Sequence, residues 1–140
     1  MIKKNLIILT ILFLIPNLAL AKSEYFQEGI ELFNKNKFDD AKFKFEQDIV
    51  FNPKNESSYL FLAKIYNLKK NDSQEEKNLN TVILLNPKNE EAVLNLTLLK
   101  IRKSNYKETE KLIKNFKDIC KKLCQKETDL QNKLNSALKK

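Results

Sequence analysis

The pentapeptide Asn52-Pro53-Lys54-Asn55-Glu56 recurs unchanged as Asn86-Pro87-Lys88-Asn89-Glu90, 34 residues further along. An internal repeat of that period restricts a chain to architectures that stack one small structural unit on the next. On this period the chain falls into three rows, 22–55, 56–89 and 90–123, leaving 124–140 as a basic C-terminal helix or frayed tail. Tyr25, Tyr59 and Val93 then align near the row starts, Gly29, Ala63 and Thr97 share a small-residue position, and Phe45, Leu79 and Ile113 share an apolar one. Each row holds two segments with apolar residues at helical spacing. The spacing predicts helices over 23–35, 38–51, 56–69, 73–85, 90–103 and 106–124. Pro53 and Pro87 act as stops, because proline disfavours helix before it and donates no backbone hydrogen bond. Asn55 and Asn89 fall at N-cap positions, with Glu56, Glu90 and Glu91 placing negative charge on the helix starts that follow. Asp72 with Glu75 reads as a capping box.

These rows resemble the tetratricopeptide repeat, a 34-residue helix-turn-helix unit. The matching residues are Tyr25, Gly29, Phe38, Ala41, Phe45 and Pro53 in the first row, and Tyr59, Leu62, Ala63, Tyr66, Val82 and Pro87 in the second. The third row keeps Leu96 and Tyr106 and lacks the terminal proline. The resemblance implies an all-α solenoid of helix pairs with a C-terminal helical extension. Asp48, Glu75, Lys100 and Thr109 depart from the pattern, standing where small apolar residues pack inside a pair. Since an unpaired buried charge is costly, they are expected to tilt to solvent or to loosen the packing. The third row is then a divergent terminal unit that covers the last apolar face of the solenoid. In 125–140, Leu130, Leu134 and Leu138 at i, i+4 and i+8 suit an added solvating helix, frayed at Lys139-Lys140.

Composition narrows the function. The chain has one Gly, no His and two Cys. A single glycine argues against phosphate-cradling loops and hairpin-rich β folds. The lack of His removes imidazole metal sites and His-dependent nucleophile pairs. No paired carboxylates can be singled out, so we expect no enzyme, no cofactor and no metal. The net charge is +8, but the excess sits in residues 100–140, with thirteen basic and five acidic residues. Lys107, Lys111, Lys114, Lys117, Lys121 and Lys122 are read first as a solvated helix face, and second as a surface attracted to anionic membranes. Nucleic acid is disfavoured, since no recognition motif accompanies the lysines.

Residues 1–21 have the layout of a secretory signal peptide. A basic start (Lys3, Lys4) precedes an apolar run from Leu6 to Ile15, and Ala19-Leu20-Ala21 offers small residues for cleavage after Ala21. The apolar stretch is shorter than a bilayer span and is interrupted by Pro16 and Asn17. Periplasmic or secreted localisation is expected. In an oxidising compartment Cys120 and Cys124 most simply form a disulfide, with free or intermolecular thiols as the alternative. One helical turn is at the upper end of disulfide reach, so a bridge would strain or end the last repeat helix.

The resemblance also implies a concave groove lined by the first helix of each pair, where a partner peptide or helix binds. Projected onto this chain, its lining is Phe26, Ile30, Phe33, Leu60, Phe61, Lys64, Leu68, Leu94, Asn95, Leu98, Ile101 and Arg102. Phe26, Phe61, Leu94 and Leu98 are the expected anchors. The C-terminal helix could instead fold back and fill the groove. Some relatives clamp chaperone C-termini with Lys, Asn and Arg side chains. Here the corresponding positions hold Phe26, Ile30, Phe61, Glu91 and Asn95, which disfavours that role. The expected function is an exported protein-interaction module, the alternative a structural protein that self-associates through the same face or through Cys120 and Cys124.

Overall fold

A computed structural model describes residues 23–139; the signal peptide expected at 1–21 lies outside them. Among the described residues seven α-helices run in order: α1 (Glu24–Asn34), α2 (Phe38–Phe51), α3 (Glu56–Leu68), α4 (Asp72–Leu85), α5 (Glu90–Arg102), α6 (Tyr106–Ile119) and α7 (Lys126–Leu138). The fold is all-α, an antiparallel helix-pair solenoid. None of these helices is long and apolar enough to cross a membrane.

The helix ends repeat with the sequence period. Asn55 and Asn89 cap α3 and α5 by accepting from the N–H of Ser57 and Ala92, at 3.2 and 2.9 Å. Asn71 and Asn105 do the same for α4 and α6, toward Gln74 and Glu108. The cap of α4 is therefore Asn71, and not the Asp72–Glu75 box expected from sequence. Helices α1, α3 and α5 close through Asn36, Lys70 and Ser104, each in left-handed conformation (φ 58°, 55° and 55°). The N–H of the next residue then reaches back to the carbonyl of Leu32, Tyr66 or Lys100, each at 2.9 Å. This is the capping turn that satisfies the last carbonyls of a helix.

Three core clusters follow the chain, each joining one pair to the first helix of the next. Phe26, Ala41, Phe45, Leu62 and Ile65 form the first. Leu60, Ala63, Leu79, Val82, Ala92, Leu96 and Leu99 form the second. Val93, Ile113, Phe116, Leu130 and Leu134 form the third. Close approach in the first pair depends on Gly29: a Cβ there would lie 2.6 Å from Cε1 of Phe45. Helix α7 does for α5 and α6 what α3 does for α1 and α2. Leu130 stands 68 residues after Leu62 and 34 after Leu96, and all three are buried. Leu138, expected on the same face, is half exposed.

Helix α6 ends at Ile119, five residues before the limit expected from periodicity. Cys120 is its C-cap, with extended backbone (φ −62°, ψ 143°), and is bridged to Cys124. The intrachain disulfide ends the helix, the second of the two outcomes open from sequence.

The four residues that break the repeat pattern are buried, and the expectation that they tilt to solvent or loosen the packing is corrected. Each has a hydrogen-bonding or ionic partner. Asp48 accepts from Asn52 Nδ2 (3.1 Å), Asn55 Nδ2 (2.6 Å) and Ser58 Oγ (2.5 Å). Glu75 accepts from Asn67 Nδ2 (2.9 Å) and Arg102 Nη2 (2.7 Å). Lys100 lies between Glu76 (2.7 Å) and Glu108 (2.9 Å). Burial opposes the Lys100 charge, but the hydrogen bonds to Glu76 and Glu108 outweigh it and raise the ammonium above its ordinary pKa. Thr109 Oγ1 donates to the Asn105 carbonyl at 2.9 Å.

Candidate functional site

The first helices of the pairs turn one face inward to a cleft of about 470 Å³. Phe33 of α1 stands at one end, Lys64, Asn67 and Leu68 of α3 form a side, and Asn95, Leu98 and Arg102 of α5 face them. Ala63, Glu75 and Leu79 complete the lining. A second cleft, of about 740 Å³, lies beside it between the end of α5, Tyr106 and one face of α7, where Asn132, Lys133, Ser136 and Ala137 line the wall. Leu98 and Arg102 belong to both clefts. Helix α7 thus walls the concave side and does not fill it, anchored by Leu130 and Leu134 and by Tyr106 Oη donating to the Ala137 carbonyl.

The groove is mixed in character. Phe33, Leu68, Leu79 and Leu98 give it apolar surface, and Leu68 is 55% exposed. The amides of Asn67 and Asn95 each offer both a donor and an acceptor. Its two cations are matched by carboxylates. Lys64 pairs with Glu91 at 2.8 Å and lies 4.9 Å from the centre of the Phe61 ring. Arg102, the only arginine of the chain, bonds Asp72 (2.9 Å) and Glu75 (2.7 Å). Such a surface suits a segment with apolar side chains and free backbone groups better than a highly charged one.

Phe33, Lys64, Leu68, Asn95, Leu98 and Arg102, all projected from sequence, meet in the first cleft, and Ile101 lines the second. Phe26 and Leu60 are buried in the core and line neither cleft. Phe61 is stacked on Phe45, with centroids 4.9 Å apart, and meets Phe33 edge-on at 5.2 Å. It holds the groove floor together more than it offers surface. Ile30 packs on the first core cluster and Leu94 on the third, and neither lines the two clefts. Sequence reasoning missed Asn67 and the α7 residues Asn132, Lys133 and Ser136. Asn67 was findable in principle, since Glu75 needed a donor eight residues away. Helix α7 signals its place only through the register of Leu130 with Leu96.

No protein-family model and no curated protein matches the sequence. Solved structures do match, and they define the class of fold. The first TPR domain of Spaghetti (RPAP3), bound to the HSP90 peptide SRMEEVD, superposes with a TM-score of 0.73 at 18% identity, over 83% of this chain and 91% of that one. The TPR2B domain of yeast Sti1, in a pHsp70 complex, gives 0.74 at 16% identity, over 81% and 94%. The Arabidopsis OM64 TPR domain gives 0.72 at 16% identity, over 80% and 92%. The fold is that of a tetratricopeptide-repeat domain. At these identities the likeness establishes the fold and nothing finer.

Proposed function

We propose that this chain is an exported, non-enzymatic interaction module that holds a peptide or helix of a protein partner in the joined clefts. The observation that carries the proposal is the continuous concave surface from Phe33 through Leu98 and Arg102 to the α7 wall. One structure of the same fold is bound to an HSP90 peptide and another is a pHsp70 complex, which supports peptide capture as the mode. A chaperone tail is not the proposed ligand. Phe26 and Phe61 replace the clamp residues that such tails need, and Glu91 is engaged with Lys64. We propose apolar anchoring on Phe33, Leu68 and Leu98, with Asn67 and Asn95 meeting the peptide backbone. Export is supported by the signal-type layout of residues 1–21 and by the Cys120–Cys124 bridge, which suits an oxidising compartment.

The test is a display library of short peptides panned on the oxidised chain, with binders remeasured on Leu68→Asp/Leu98→Asp. Loss of binding with helical content unchanged is the expected result. Binders that hold equally well on the double variant would remove the groove from consideration. Phe61, an obvious target from sequence, is unsuited because its ring belongs to the core.

A second reading, self-association, draws on a different surface. Phe43, Val50, Phe51 and Leu84 are exposed on the outer helices α2 and α4, Val50 and Leu84 at equivalent repeat positions. Both cysteines are engaged in the intrachain bridge, so thiol-linked oligomers need that bridge opened. Sedimentation with and without reductant separates the two routes.

A further inference from the structure

The third turn between a second helix and the next first helix is built unlike the other two. In the repeat register Cys120, Lys121, Lys122, Leu123 and Cys124 replace Asn86, Pro87, Lys88, Asn89 and Glu90. The first two turns have a proline that cannot continue the helix and an asparagine that caps the following one. The third has neither. The N-cap of α7, Gln125, makes no side-chain capping bond. Residues 120–125 (Cys-Lys-Lys-Leu-Cys-Gln) contain no helix breaker, and Lys, Leu and Gln are good helix formers. By local preference α6 would continue through them, as periodicity predicts.

Two contacts hold the turn instead. The disulfide keeps the Cα atoms of Cys120 and Cys124 at 5.2 Å, whereas four residues of α-helix advance about 6 Å. Glu90, at the start of α5, accepts from the backbone N–H of Lys122 (3.0 Å) and Leu123 (2.8 Å). Those N–H groups are free for Glu90 only while the turn is not helical. Helix α7 has 13 residues, too short to persist alone in water, and its buried anchors are Leu130 and Leu134. Its place on α5 and α6 therefore depends on where the turn delivers it.

We propose that Cys120 and Cys124 form a redox latch on α7, closed in the disulfide state and released when the bridge is reduced. Cys124 is exposed and Cys120 partly so, which leaves the bridge open to a dithiol reductant. A thiolate of the reductant attacks one sulfur to give a mixed disulfide and frees the other cysteine as a thiolate. The second thiol of the reductant then displaces the remaining cysteine, so that two electrons pass to the protein and the reductant leaves as its own disulfide. On release, α6 extends into 120–125, Glu90 loses its two donors, and α7 leaves Val93, Ile113 and Phe116. The second cleft then loses its wall. The consequence for ligand capture rests on the groove reading above; the latch itself does not.

Amide hydrogen exchange of the full chain tests the latch without any ligand. Reduction should speed exchange across 130–138 by roughly tenfold or more, while amides of Lys121–Gln125 gain protection and those of α3 stay unchanged. Cys120→Ser/Cys124→Ser should show the reduced pattern with or without reductant. Equal α7 protection in oxidised and reduced chains would overturn the latch, as would a reductant effect that persists in the double variant. If the exchange pattern changes and the oxidised chain captures no peptide, the groove reading fails and the latch stands. If capture is equal in both redox states while α7 is released, the second cleft is removed from the ligand site.

Discussion

Where α2 meets α3, the fully buried Asp48 accepts from Asn52, Asn55 and Ser58. Thirty-four residues on, where α4 meets α5, Val82 fills the equivalent place against Ala92, and both are fully buried. The two junctions share the same pentapeptide, yet its asparagines turn different ways. Asn52 and Asn55 bond Asp48, while Asn86 and Asn89 bond Glu56 at 2.8 and 3.3 Å. The first junction is polar inside. The second is apolar where Val82 meets Ala92, and its charges lie at the other end of the α4–α5 pair, where Lys100 and Lys103 meet Glu76 and Arg102 meets Asp72 and Glu75. Identical local sequence thus fixes the turn, and the residue four positions before it selects the partners. Burial alone does not dictate chemistry, because a polar group is tolerated in a core once its hydrogen bonds are met.

The harshest way to break this comparison is Val82→Asp, which brings a carboxylate into the junction that lacks the serine. A loss of about 3 kcal/mol is expected in chemical denaturation, and adding Ala92→Ser should recover part of it. Recovery of nothing would mean that the two junctions are not interchangeable. Asp48→Val runs the exchange the other way. It takes the acceptor from the buried Ser58 hydroxyl, with an expected cost of about 2 kcal/mol, and Asp48→Val/Ser58→Ala should return at least half, since removing both partners of a buried bond is milder than removing one.

Acidification probes the charged end of the α4–α5 pair and has the smallest expected effect. Hydrogen bonds from Lys100 and Lys103 hold the Glu76 carboxyl below its ordinary pKa of 4.5, against the opposing effect of burial. A carboxyl with a lowered folded-state pKa adds stability above its unfolded value and loses it as pH falls through the folded one. Stability of the wild-type chain should therefore fall below about pH 4.5, and Glu76→Gln should flatten that dependence. An unchanged slope in the variant would assign the acid sensitivity elsewhere. Glu90 works in the same direction, its carboxyl lowered chiefly by the Leu123 N–H.

Much of the fold was legible. Helix starts at Asn55 and Asn89, the proline stops, and the close packing at Gly29 follow from local rules about capping, backbone restriction and side-chain size. The groove was half legible. Repeat geometry gave the inward face of α3 and α5, but it also counted Phe26 and Leu60, which the neighbouring helices cover. The departures at Asp48, Glu75 and Lys100 were visible as anomalies. Their resolution was not, since Arg102 lies 27 residues from Glu75 and Lys100 lies 24 from Glu76.

The sequence by itself determined the period, the sites of most helix ends and the all-α architecture, because these depend on contacts within a turn or two of the chain. Tertiary structure alone decided which polar residues could be buried, where α6 stops and how α7 completes the concave face. Those outcomes depend on groups brought together from separate helices: a buried carboxylate finds its donors across a junction, and Glu90 reaches the bridged turn 32 residues away. Local preference favours helix at 120–125; the disulfide, with the amides held by Glu90, makes it a turn.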